Sequence, residues 1–231
     1  AHYEIIKKTL LAGKHSYCEK PLSTNYEHGA ELLQLANDNN LYIGNAPDTF
    51  LGGGAQLARQ LIDQNEIGDV KLGVINFAFP GVQSFHPHPE SWFKKGGGPV
   101  IDMGPYYFTS LVNLLGPAKC VRATATKVYD YRTIETGLKK GNQFKVKIPT
   151  SIIGSIEFKN SAVIQFFLSF DVINHQRNHI ELYGTKGSMI VPDPNMFGGS
   201  VFSSFTERGE WKEYSSSDML IGKTNIFNKS L

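Results

Sequence analysis

Over its first 45 residues the chain alternates helical and extended patterns with very short links, and that rhythm dictates a parallel sheet with crossover helices. Tyr3, Ile6 and Leu10 recur at helical spacing over 3–11, and Gly13 stands just past the helix end. Residues 16–18 form a short strand candidate. Thr24 followed three residues later by Glu27 has the form of a capping box, and Ala30, Leu33 and Ala36 then share one helical face. The polar run 37–40 ends that helix, and Leu41-Tyr42-Ile43 follows as a second short strand. The series opens on a helix, as if the strands of such a domain that come first lay outside this chain.

Beyond Asn45 the pattern changes. A glycine triplet, Gly52-Gly53-Gly54, leads into a helix over 55–64 with Leu57, Leu61 and Ile62 as its apolar residues, and a strand follows over 70–79. A loop rich in Pro, His and aromatics spans 80–95, and a helix over 105–115 is closed by Gly116-Pro117. The remainder reads as strands at 121–128, 151–158, 163–170, 179–183, 188–191, 200–205 and 211–214. Turns at Asn160-Ser161 and 184–187 make hairpins of them. The fold class is α/β: the remnant of a nucleotide-type parallel domain over 1–46, then an α+β domain over 47–231 with a mainly antiparallel sheet.

With 231 residues, 41% of them hydrophobic, the chain is long enough to bury a real core. Its 23 Lys+Arg against 21 Asp+Glu are scattered rather than striped, which argues against a nucleic-acid partner. The longest apolar stretch, 162–170, is broken by Gln165 and Ser169 and is far shorter than the roughly 20 residues of a membrane span. Cys18 and Cys120 are too few for a disulfide framework and no secretory leader opens the chain, so a cytoplasmic location is expected.

Three constellations carry candidate chemistry. Cys18-Glu19-Lys20-Pro21 stands at the carboxyl end of a short strand, where open α/β sheets take their ligands, and a lysine before proline is held out of helical conformation. The plain alternative is a surface lysine. In Gly96-Gly97-Gly98-Pro99-Val100-Ile101-Asp102-Met103-Gly104-Pro105-Tyr106 the triple glycine lets backbone pass close to a ligand, with Asp102 and Tyr106 four residues apart. The alternative is Asp102 as a helix cap and Tyr106 as a core residue. The linker 44–54 carries Asp48 and Phe50 into a glycine-rich helix start whose amides are suited to an anion or a sugar hydroxyl. Its glycines do not form G-x-G-x-x-G after a strand. His86-Pro87-His88-Pro89 falls short of a metal-ligand set, so no metal is expected, and the loop's Trp92 and Phe93 are read as apolar walls for a sugar ring.

Residues 12–22 (AGKHSYCEKPL), the run from Gly96 to Gly104, and Gly184-Thr185-Lys186-Gly187-Ser188 together resemble the Gfo/Idh/MocA oxidoreductases, the family of glucose-fructose oxidoreductase and inositol dehydrogenase. The resemblance implies a Rossmann domain followed by an α/β domain with an open sheet, whose outer face mediates homodimers or homotetramers. It implies an NAD or NADP cofactor beside His2, Glu19, Lys20 and Pro21, and a sugar, inositol or related polyol substrate near Asp48, Phe50, Trp92, Asp102 and Tyr106. Lys20, Asp102 and Tyr106 are then the catalytic group. Members of this family commonly carry a histidine where Tyr106 stands here.

That departure bears on proton transfer, because a phenol has an unperturbed pKa of about 10 and needs a neighbouring cation to act as a base. Lys20 is the cation at hand: it polarises the substrate oxygen, Tyr106 exchanges the proton, and Asp102 orients one or both. In the alternative, Lys20 exchanges the proton itself and Tyr106 only hydrogen-bonds the sugar. The family's phosphate-binding glycine loop has no counterpart in 1–231, so this chain by itself is expected to bind the cofactor weakly or not at all. A non-catalytic sensor, or an oligomerisation module built on the strands at 151–158 and 163–170, is the competing reading.

Overall fold

Ile6 and Leu10 stand one turn apart on α1 (His2–Leu11), and both are buried against Leu32 and Ala36, likewise one turn apart on α2 (Tyr26–Asp38). That apolar seam organises the first of the two units, Ala1–Asp48 and Thr49–Leu231, into which the chain divides. The structure is a computed structural model describing residues 2–206 and 209–218. In the first unit β1 (Ser16–Cys18) pairs in parallel with β2 (Ile43–Asn45). Two local expectations are corrected. The cap of α2 is Asn25 rather than Thr24: the Asn25 side chain accepts from the His28 amide at 3.1 Å and Ser23 Oγ bonds the Asn25 backbone, so no capping box forms. The second strand starts at Ile43, because the Leu41 amide is still committed to the Ala36 carbonyl at 2.8 Å.

The second unit is built on an eight-stranded sheet, which takes its members from all along the remaining chain. They are β3 (Val70–Ala78), β4 (Ala118–Thr126), β7 (Ser151–Phe158), β8 (Val163–Ser169), β9 (Ile180–Gly184), β10 (Ser188–Val191), β11 (Val201–Ser204) and β12 (Lys212–Tyr214), in the order β12-β11-β10-β9-β3-β8-β7-β4. Every neighbouring pair is antiparallel except β3 with β8. The hairpins expected at Asn160-Ser161 and 184–187 join β7 to β8 and β9 to β10. Two three-residue strands that the sequence pattern did not disclose, β5 (Tyr131–Thr133) and β6 (Gln143–Lys145), pair separately.

One face of the sheet is buried through Ile75, Ile164, Phe166, Leu168, Ile180 and Leu182. Against the same core pack α3 (Gly53–Asp63), through Leu57, Ala58 and Leu61, and α5 (Gly104–Leu115), through Tyr107, Leu111, Leu114 and Leu115. Those spacings are what a single helical face presents. Arg59 of α3 donates to the Leu114 carbonyl at 2.6 Å and the Asn113 carbonyl at 3.0 Å, so a cation satisfies the end of α5. On the opposite sheet face Leu72, Ile153 and Val163 stay exposed. Among the described residues no helix is long and apolar enough to cross a membrane.

The β5–β6 arm is fastened by a buried ion pair. Arg132 bonds Asp171 just beyond β8, with side-chain exposures of 7% and 3%, and it also donates to the Pro80 and Phe170 carbonyls. Thr150 and Ser151 supply hydroxyls to the other oxygen of Asp171. Truncating one member would strand the other charge. Asp171→Ala is therefore expected to lower unfolding stability by about 3–5 kcal/mol, read as a reduced urea midpoint at unchanged slope.

Candidate functional site

At the carboxyl ends of β1 and β2 the chain turns through two X-Pro bonds in the cis form, Lys20-Pro21 and Ala46-Pro47. Asn45 spans the two exits: its Nδ2 donates to the carbonyl of Cys18 at 3.2 Å and to that of Glu19 at 3.0 Å. Glu19 Oε1 accepts from the Lys20 amide at 2.9 Å. The His2 ring lies 2.7 Å from the Pro21 carbonyl, and since a carbonyl only accepts, Nδ1 is the donor and Nε2 is the acceptor of the neutral ring. The structure therefore gathers His2, Glu19, Lys20 and Pro21 at one sheet edge, while Asp48 is exposed at the end of the same unit. Carbonyls, an imidazole acceptor and an ammonium along this edge suit the nicotinamide end of a dinucleotide, which presents an amide and a ribose.

In the second unit the glycine triplet is shaped by the loop before it. Residues Pro89–Phe93 form a 3-10 turn, and the Trp92 carbonyl accepts from the Gly98 amide at 2.8 Å. A Cβ on Gly97 would lie 2.6 Å from that carbonyl oxygen, and Gly98 has φ of +93°, so neither position accepts a side chain without displacement. From Gly98 the chain enters α4 (Pro99–Asp102), passes Met103 and continues as α5. Asp102 and Tyr106 thus sit on successive turns, half-buried, and in the preceding loop the Trp92 ring lies tilted against His86 at 4.5 Å between ring centres. The capping alternative for Asp102 does not hold for α5, whose N-cap is Met103 without a side-chain hydrogen bond.

Phe50 is placed elsewhere. It lines a recess of about 450 Å³ with Gln56, Arg59, Gln60 and Asn113. Asn113 stands seven residues beyond Tyr106, about 10 Å along the helix axis. The glycine-rich start of α3 is also filled by protein. The Gly54 amide donates to the Phe197 carbonyl at 3.1 Å, and a Cβ on Gly54 would meet the Gly198 carbonyl oxygen at 2.8 Å. These glycines serve backbone packing rather than an anion.

Sequence reasoning missed a third cluster. Tyr107, fully buried, donates its phenol proton to Asp193 Oδ1 at 3.1 Å and lies 2.8 Å from His179 Nδ1. A phenol has one proton, so His179 Nδ1 donates to the phenol oxygen. His179 Nε2 is 3.7 Å from Asp193 Oδ2. Burial, with the Asp193 charge beside it, pushes the Tyr107 phenol far above its ordinary value. Tyr107 is therefore a core anchor. The three residues are 72 and 86 positions apart, and nothing local in the sequence marks them. Among the described residues no group of acidic, His or Cys side chains is arranged to hold a metal ion.

Comparison with known proteins places this geometry. Residues 1–45 match the oxidoreductase family with an NAD-binding Rossmann fold, and 55–190 match the GFO/IDH/MocA C-terminal domain. Relatives include a dTDP-3,4-didehydro-2,6-dideoxy-alpha-D-glucose 3-reductase of Saccharopolyspora spinosa, 26% identical over 91% of this chain and 55% of its own length. Another is a trans-1,2-dihydrobenzene-1,2-diol dehydrogenase of Xenopus tropicalis, 26% identical over 90% of this chain and 57% of the relative. The chain spans about half the length of the curated relatives it matches. Among solved structures, an NAD binding oxidoreductase from Klebsiella pneumoniae superposes with a TM-score of 0.78 at 24% identity, over 94% of this chain and 59% of that one. A levoglucosan dehydrogenase in complex with NADH and L-sorbose gives 0.77 at 22% identity, over 93% and 58%. At these identities the structural likeness speaks for the fold.

The raised pKa of Tyr107 has a stability consequence at high pH. A group whose folded value exceeds its unfolded value, here about 10, contributes stability that is complete below the unfolded value and lost as pH rises toward the folded one. Above pH 10 wild-type stability is expected to fall more steeply than that of Tyr107→Phe, by about 1.4 kcal/mol per pH unit. Equal slopes in urea titrations at pH 9 to about 11.5 would remove Tyr107 as the titrating group.

Proposed function

This chain belongs to the Gfo/Idh/MocA family of oxidoreductases, and we propose that it carries the reaction residues of an NAD(P)-dependent dehydrogenase acting on a sugar, inositol or related polyol. The observation that carries the reading is the Glu19-Lys20-Pro21 turn at the carboxyl ends of the parallel pair β1–β2, with His2 bonded to it. Open α/β sheets take ligands at that edge. His2, Glu19, Lys20 and Pro21 would hold the nicotinamide end of the cofactor, which when bound supplies the hydride acceptor or donor. Residues 1–46 serve as the cofactor part and 47–231 as the substrate and assembly part.

In this proposal the Lys20 ammonium polarises the substrate oxygen, and Tyr106 Oη exchanges that oxygen's proton. Asp102, one turn earlier, orients Tyr106, and Trp92 walls the ring of the substrate. The relatives named above support this class: one name specifies a nucleotide-linked dideoxyglucose, the other a cyclic diol. The exposed Leu72, Ile153 and Val163 on the open sheet face would be the surface of a homodimer or homotetramer.

The test is turnover by the protein expressed from its complete reading frame, with NAD+ or NADP+ and a panel of D-glucose, D-xylose, myo-inositol and levoglucosan. At least one is expected to be oxidised, and silence across the panel in both directions would overturn the reading. With an active substrate in hand, Tyr106→Phe is expected to lower kcat by about 100- to 10,000-fold while KM stays within about threefold. Near-normal turnover would assign the proton to Lys20 instead.

A further inference from the structure

The first turn of α5 has little of its own to hold it. Its N-cap, Met103, offers no side-chain hydrogen bond, and Pro105 lacks an amide proton. Tyr107 joins this turn to the sheet, beside Tyr106 and Phe108, which also pack against the core. The Tyr107 ring contacts Phe77 of β3 at 5.7 Å between centres, and its hydroxyl reaches His179 and Asp193. Those two partners come from the two ends of one hairpin: His179 precedes β9, Asp193 follows β10, and the pairing of Ile180 with Val191 brings them side by side. Each is itself held. The Asn76 amide donates to the His179 carbonyl at 2.8 Å, Asn76 Nδ2 donates to the Asn178 carbonyl at 3.2 Å, and Asp193 Oδ1 also accepts from the Asn195 amide at 3.0 Å.

We propose that the Tyr107–His179–Asp193 chain is a positioning device for the neighbouring Tyr106. It locks the rotation of the first turn of α5 on the β9–β10 hairpin and thereby sets the direction of the Tyr106 phenol. The proposal rests on the dehydrogenase reading in which Tyr106 exchanges a proton. Successive residues of a helix point about 100° apart, so a rotation of this turn swings Tyr106 by the same angle. With the anchor at the core and the reacting phenol one residue before it, a small displacement at His179 or Asp193 is passed on rigidly. Two different helix faces then serve scaffold and reaction. His179 and Asp193 act as positioning residues, and neither is asked to touch substrate.

Two measurements on the full-length protein test this together. The first is steady-state kinetics with the best substrate of the panel above. Tyr107→Phe, which removes only a hydroxyl, is expected to lower kcat about 10- to 100-fold with KM within about twofold, because misplacement of a reacting group by about 1 Å is enough for such a loss. His179→Asn, which keeps an N–H donor near the position of Nδ1, is expected to retain more activity than His179→Ala. The second measurement needs no turnover: carbon-13 NMR of ring-labelled tyrosine, in which the Tyr106 signal is identified by its loss in Tyr106→Phe. Tyr107→Phe and Asp193→Asn, each checked for a cooperative melt, are expected to shift or broaden that signal. A Tyr106 signal unmoved in both variants overturns the proposal whatever the kinetics, and so does wild-type kcat in Tyr107→Phe. If no panel substrate turns over, the dehydrogenase reading falls, and the NMR result alone decides whether Tyr107 positions Tyr106.

Discussion

The parallel pairing of β3 with β8, seven residues in register from Leu72 opposite Val163 to Ala78 opposite Ser169, is the constraint on which the second unit turns. A parallel pair cannot be closed by a tight turn, so everything between the two strands must leave and return: the aromatic loop, the glycine triplet, α4, α5 and β4 to β7. Because both strands run the same way, they end at the same sheet edge. There the Phe79 amide donates to the Ser169 carbonyl at 3.2 Å, and the Phe79 ring meets Phe170 edge-on at 5.1 Å. The loop that shapes Gly98 starts from this edge, and β9, on the other side of β3, delivers His179 beside Asn76.

How much of this could be read from the residues follows from the range of the interactions. Strands with strict alternation, such as Val163 to Ser169 with Ile164, Phe166 and Leu168 buried, and turns such as Asn160-Ser161, where Ser161 has φ of +70°, announce themselves locally. So does α5, whose buried residues recur at helical spacing. The strands β5 and β6 do not, being three residues each, with a pairing held by contacts outside themselves. The cap of α2 was misplaced by one residue because Thr24 and Asn25 are both good capping residues, and only the geometry of the His28 amide chooses between them.

The site divides in the same way. Cys18-Glu19-Lys20-Pro21 and the glycine triplet stand out because proline restricts the backbone, and repeated glycine frees it, within a few residues. The polar clusters that hold the scaffold escape notice because their members are distant in sequence. Arg132 meets Asp171 across 39 positions, and Tyr107 meets Asp193 across 86. Nor does the residue type decide a role: Gly54 looks like part of an anion-binding start, yet its neighbour is the backbone of Phe197 and Gly198. Buried hydrogen bonds of this kind add specificity to a core whose apolar residues would tolerate several arrangements.

The two adjacent tyrosines have a consequence for how such a site can diversify. Tyr107 is sealed in the core with its hydroxyl committed, whereas the half-buried side chain at 106 leaves the helix in another direction. In the proposed reaction, replacement of the phenol at 106 by an imidazole would change the acid–base strength of the tip while the Tyr107 anchor stays in place. Anchor and tip are separable parts. A scaffold with that separation can be retuned to substrates of different acidity by exchanging one side chain, and its folding need not be renegotiated each time.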